Sequence, residues 1–130
     1  MKTSLETLST DELDELHRAA HGAYLQGRYD EAVRYFWFIS LHAPTDVRYL
    51  KGLGAALFMS RSFSEASVAY YQLLRIAMKD PEVNCMLGHT LVMLGDRDSG
   101  RKHLQYSLRL PGGDASMAAR ARALLELLGT

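Results

Sequence analysis

The 130 residues predict an all-α fold: three consecutive helix pairs of equal length, stacked and closed by one further helix. Three observations carry this. Written in rows of 34, the chain puts Ala20, Gly54 and Gly88 in one column, Gly27, Arg61 and Gly95 in a second, and Ala32, Ala66 and Gly100 in a third. Large residues recur at the same interval, as in Tyr29, Phe63 and Arg97, then Phe36, Tyr70 and Leu104. Each row also carries two stretches of helical apolar periodicity parted by a turn, the pattern of a helical repeat whose small residues lie where two helices touch.

The elements follow in order. Ser9 with Glu12 three residues on is a capping box, and Leu13, Leu16, Ala20 and Ala23 follow at helical spacing up to Gly27. The second helix is expected over about 29–41, stopped by Pro44. Further pairs are expected at about 47–60 with 63–78 and about 82–94 with 97–109, with "KDPE" and "LPGGD" as punctuation. After Asp114, an N-cap residue, the stripe Met117, Ala121, Leu124, Leu125 and Leu128 makes a closing helix over about 115–128. Rows of about 13–46, 47–80 and 81–112 and this cap make one domain over residues 1–130.

Composition narrows the function. Fifteen basic residues balance fifteen acidic ones, so no electrostatic footprint points to nucleic acid or to an anionic membrane. The lone Cys85 allows no internal disulfide, and the first residues carry neither a signal peptide nor a spanning helix. No membrane insertion and a reducing, cytoplasmic location are therefore expected.

The stretch "RYFWFIS", residues 34–40, holds five large apolar side chains in succession. Successive helical residues step by about 100°, so five cannot share one buried stripe. Phe36 and Ile39 belong to the core, and Phe38 is expected to pack toward the next pair. Trp37 is left on the outer side, and the same column of the second row holds Tyr71. An exposed aromatic pair implies a second interface, unless the terminal cap or the N-terminal tail folds over Trp37.

The rows "LHRAAHGAYLQGRYDEAVRYFWFISLHAP", "YLKGLGAALFMSRSFSEASVAYY" and "NCMLGHTLVMLGDRDSGRKHLQYS" resemble the tetratricopeptide repeat over about residues 13–110. In the third row Arg97 and Gly100 stand where an aromatic and an alanine are usual, so looser helix packing is expected there. The joins "DVRYLKGLGAAL" and "YYQLLRIAMKDPEV", with the final helix after three repeats, are similar to the class II chaperones of bacterial type III secretion. That resemblance implies a right-handed superhelix with a concave groove. It also implies a cytoplasmic chaperone that binds an extended N-terminal segment of secreted translocator proteins and keeps them soluble before export. The family usually has a longer N-terminal helical extension used in dimer contacts, whereas about nine residues precede the first helix here, which puts dimerisation by that route in doubt and leaves a homodimer open.

In such stacks the first helix of each pair lines the concave side. Carrying the repeat register onto this chain gives His17, His21 and Tyr24, then Arg48, Lys51, Ala55 and Phe58, then Glu82, Cys85, His89 and Val92. Tyr24, Phe58 and Val92 offer apolar pockets, while Arg48 and Lys51 could hold carbonyls or an acidic group. His17 and His21 make the groove polar and its binding pH-sensitive, and Met59 and Met93 lend it adaptability.

The pairs His17/His21 and Cys85/His89 are four apart on a helix, yet neither has a third ligand in a recognised spacing nor an orienting third group for catalysis. Asn84 alone does not supply the asparagine clamp for terminal carboxylates found in some related repeat proteins. No cofactor, no metal and no enzymatic activity are expected. Two other readings stay open: a partner for a needle-type subunit whose helix fills the groove, and a general scaffold.

Overall fold

A computed structural model of the chain describes residues 7–129. It contains α1 (Thr10–Leu25), α2 (Tyr29–His42), α3 (Val47–Met59), α4 (Phe63–Ile76), α5 (Pro81–Met93), α6 (Arg97–Arg109) and α7 (Ala115–Leu127). Among the described residues there is no strand. The all-α expectation holds, with helix ends within about two residues of those anticipated. The chain forms two compact units, one ending at Arg61 and the other beginning at Ser62.

In the first unit, α1 starts at the expected capping box: the Glu12 amide donates to Ser9 Oγ at 3.1 Å and the Ser9 amide to Glu12 Oε1 at 2.8 Å. The helix ends at Gly27, whose φ of 77° is the left-handed value that closes a helix. The Arg28 amide then reaches back to the Ala23 carbonyl at 2.9 Å. The column containing Gly27 requires this conformation at every turn, since Arg61 has φ 67° and Gly95 φ 90°. Arg61 adopts it at a cost of about 1 kcal/mol, because a Cβ crowds the neighbouring carbonyl there.

Ala20, Ala23 and Ala32 are fully buried, small side chains where α1 and α2 lie against each other. Phe36 and Ile39 are buried beside them, as the sequence predicts. Phe36 has a further requirement: its ring occupies the space in which any side chain at Gly52 of α3 would have to stand.

The second unit holds α4 to α7. Asp80 caps α5, accepting from the Glu82 and Val83 amides at 2.9 and 3.2 Å, with Pro81 at the first position, where its missing N–H costs nothing. Helices α5 and α6 cross on Gly88 and Gly100. A Cβ on either would come within 3.0 Å of the other's carbonyl oxygen. The looser third-row packing expected from Gly100 is thus corrected: without a Cβ the two backbones approach more closely than an alanine would allow.

Asp114 caps α7, accepting from the Met117 amide at 2.7 Å. The cap helix then closes a core of Cys85, Leu104, Ala121 and Leu128, with Val92, Leu108, Met117, Leu124 and Leu125 packed around it. Arg97, in the column where an aromatic is usual, donates to the Leu128 carbonyl at 3.1 Å, and Arg101 donates to the same oxygen at 3.2 Å. Two cations thus meet the negative end of α7, where the helix dipole favours them. Among the described residues no helix is long and apolar enough to cross a membrane.

Candidate functional site

The first helix of each repeat, α1, α3 and α5, carries the candidate residues. In the first unit, His17 of α1 is half-buried, edge-on to Phe36 of α2 at 5.9 Å and to Tyr49 of α3 at 5.2 Å between ring centroids. Burial and, secondarily, the Arg48 guanidinium hold its imidazole below the ordinary pKa. His21, one turn on and 6.4 Å from it, is exposed. Tyr24 is half-buried against the Tyr29 ring at 5.4 Å, while Lys51, Ala55 and Phe58 of α3 are each half-buried.

Arg48 is committed within its own helix start. Its Nε and Nη2 donate to the two Asp46 carboxylate oxygens at 3.2 and 2.9 Å, and the guanidinium lies 5.0 Å from the centre of the Tyr49 ring. Hydrogen bonding by Arg48 depresses the Asp46 pKa. Asp46 also accepts from the Arg48 amide as the α3 N-cap, so one carboxylate does both tasks.

In the second unit Glu82 is exposed, His89 is half-buried and Cys85 is fully buried. Cys85 is therefore corrected from a groove-lining position to a core one. Its thiol lies 3.7 Å from the Met117 carbonyl of α7, and burial pushes its pKa up to about 11, which leaves it protonated and inert. Val92 is half-buried and packs against that core and over Gly100, so it fills the α5–α6 seam rather than offering an open pocket. Asn84 is buried, donating to the Met78 and Asp80 carbonyls at 3.0 Å each. Its carbonyl oxygen lies 3.2 Å from His103 Nδ1. It ties the α4–α5 turn together and has no donor left for a ligand.

The packing of α7 on α5 repeats that of α3 on α1. His17 meets Tyr49 across an interval of 32 residues, and Cys85 meets Met117 across the same interval. The cap therefore stands as a fourth first helix, and it brings a side chain that sequence reasoning missed. Arg120 of α7 donates from Nη1 to Met86 Sδ at 3.2 Å and lies 3.3 Å from His89 Nδ1. Because a guanidinium can only donate, His89 Nδ1 accepts and its proton sits on Nε2. Burial first, then Arg120, holds the His89 pKa down to about 4. Continuing the rows of 34 past Asp114 would have found this residue, since Arg120 falls one interval after Met86.

Further apolar surface is open. Leu25, Met59 and Met93, one interval apart at the ends of α1, α3 and α5, are exposed by 70%, 41% and 42%; the sequence reading singled out only the two methionines. Trp37 and Tyr71 are exposed by 54% and 45%, and Tyr71 has the His103 ring edge-on at 6.4 Å. The part of the N-terminal tail before Thr7 lies outside the described residues.

Phe38 corrects an expectation. Rather than packing toward the next pair it is 41% exposed, with its ring 4.9 Å from that of His42. It lines an open cleft of about 440 Å³ with Leu16, Glu31, Arg34 and Tyr35. Two steps of 100° beyond Phe36 turn it to the outer side of α2. Among the described residues, no three His, Cys, Asp or Glu side chains converge on a point that could hold a metal ion.

With this arrangement in hand, the solved structures give a consistent likeness. PcrH from Pseudomonas aeruginosa matches 99% of this chain and 100% of its own at 25% identity and a TM-score of 0.87. PcrH in complex with the chaperone binding region of PopD matches 93% of each chain at 26% identity and a TM-score of 0.84. The Yersinia enterocolitica type III secretion chaperone SycD, in complex with a peptide of the translocator YopD, shares the fold over 92% of this chain and 94% of its own, at 22% identity and a TM-score of 0.84.

The fold is that of the type III secretion translocator chaperones. The seven helices of the described residues match a helical-repeat chaperone fold, as the rows of 34 lead one to expect. No protein-family model and no curated protein sequence matches the chain.

Proposed function

We propose that this chain is a cytoplasmic chaperone of a type III secretion system. It binds an extended N-terminal segment of a hydrophobic translocator through the first helices of its repeats, and keeps that cargo soluble before export. The observation that carries the reading is the likeness, over nearly the whole chain, to PcrH, itself solved with the chaperone binding region of PopD. The exposed, regularly spaced Leu25, Met59 and Met93 and the half-buried Tyr24 and Phe58 support it, since an extended apolar segment needs such partners at repeat intervals.

The mechanism is masking by mass action, without nucleotide or catalysis. Each apolar side chain of the cargo taken out of water contributes about 25 cal/mol per Å² removed, and the free, aggregating pool of cargo falls accordingly. Tyr24 and Phe58 are the anchors.

The test is co-purification from the native bacterium, with the partner identified by mass and its bound region mapped by limited proteolysis. A translocator with long apolar stretches, protected over a short extended segment near its N-terminus, is the expected result. A Tyr24→Ala, Phe58→Ala variant should remain folded and lose that partner. Capture of a small subunit protected along a C-terminal helix would replace the reading with that of a needle-subunit chaperone. No secretion partner at all would leave a scaffold.

A further inference from the structure

The second unit holds an exposed guanidinium that is oriented but not neutralised. Arg120 spends its Nη1 on two uncharged acceptors of α5, Met86 Sδ at 3.2 Å and His89 Nδ1 at 3.3 Å. Among the described residues its Nε and Nη2 make no hydrogen bond or ion pair. Those two atoms form the side edge of the guanidinium, the planar fork whose parallel N–H groups match the two oxygens of a carboxylate. Other arginines face a carboxylate or a helix end: Arg48 meets Asp46, Arg28 meets Glu31, and Arg97 and Arg101 meet the end of α7. Arg120 is pinned at one end by uncharged groups and open at the other.

Its placement gives the fork a role. His89 belongs to the column that the repeat register assigns to the ligand-binding face, and Arg120 stands directly against it. We propose that Arg120 is a specificity residue for the cargo, receiving a side-chain carboxylate, Asp or Glu, of the bound extended segment on its Nε/Nη2 edge, with Met86 and His89 as positioning residues. This rests on the reading of the chain as a chaperone for an extended segment. A neutral His89 suits the arrangement, since an imidazolium could not accept from Arg120 and would repel it. Pinning one end of a long side chain before the ligand arrives also reduces the entropy lost on binding.

The experiment uses the full chain and the cargo segment mapped by proteolysis, synthesised with an acetylated N-terminus and an amidated C-terminus so that its only carboxylates are side chains. Fluorescence anisotropy measures Kd for the native chain, Arg120→Gln and Arg120→Lys, against the segment and a series in which each Asp or Glu becomes Asn or Gln. The expected result is a loss of about tenfold for Arg120→Gln, the scale of one charge-assisted interaction. One acidic position in the segment should cause the same loss with the native chain and no further loss with Arg120→Gln. Lysine, which lacks the fork, should recover only part.

Circular dichroism checks that α7 stays folded. If Arg120→Gln loosens it, the charge-exchanged pair of Arg120→Glu with a lysine at the acidic position of the segment must bind better than either change alone. Unchanged affinity of Arg120→Gln, losses that simply multiply, or a segment without an acidic residue would overturn the proposal and leave the chaperone reading standing. A native chain that binds no translocator segment would remove both.

Discussion

Replacing Gly52 by alanine tests how the first unit is assembled. Alanine is the better helix former by about 1 kcal/mol, so on an isolated α3 the change would stabilise. In the folded chain the new Cβ would stand 2.5 Å from Phe36 Cζ and 2.6 Å from Cδ1, and closer still to Cε1. Carbon atoms in contact need about 3.5–4.0 Å, so the ring must move by roughly an ångström. Phe36 is 3% exposed, and the His17 ring lies edge-on to it at 5.9 Å, so it has no open space to enter.

Overpacking costs about 1–3 kcal/mol, and contacts this short put it at about 2–3 kcal/mol, so after the gain of about 1 kcal/mol in helix propensity a net loss of about 1–2 kcal/mol remains. For a chain of this length that lowers Tm by about 3–8 °C, measured by thermal and urea unfolding followed by circular dichroism. Trimming the ring as well, with Phe36→Leu, should make the two changes couple favourably by at least about 0.5 kcal/mol. Because the displaced ring also supports His17, cargo affinity should fall in the single variant. A Gly52→Ala protein as stable as the parent, or more so, would refute the reasoning, since helix propensity would then have outweighed the clash.

Two further outcomes are expected. The His89 pKa is held down to about 4 in the folded chain, against 6.5 for the free side chain. The unfolded chain therefore takes up the proton first, and the stability tied to this ring is full above about pH 6.5 and is lost as pH falls toward 4. Because the ring is only half-buried, screening reduces the effect to about 1–2 kcal/mol. Urea unfolding across pH 4–7 should be flatter for His89→Gln, and equal slopes would exclude the effect. Replacing Arg97 and Arg101 together by Gln removes both donors from the Leu128 carbonyl and should cost about 1–2 kcal/mol. Amide exchange should quicken in α7 while remaining slow in α5, and unchanged protection of α7 would argue against the clamp.

The chain's own order determined the helices, their caps and their pairing. Local signals sufficed because they act within one turn: Ser9 with Glu12, Asp114 before Ala115, and a left-handed residue in the column of Gly27, Arg61 and Gly95. The 34-residue interval was equally legible, since equivalent helix crossings need small residues at equivalent places. What the sequence could not settle depends on atoms far apart in the chain. Gly52 reads as an ordinary weak point in a helix until Phe36 is found over it. Gly100 reads as a packing fault until Gly88 is found opposite. Cys85 and His89 share one face of α5, and only the arrival of α7 divides them, burying the thiol against Met117 while leaving the imidazole to hold Arg120. Periodicity states which face of a helix is used; which side chains on that face remain open to a ligand is decided by the helix that packs next to it.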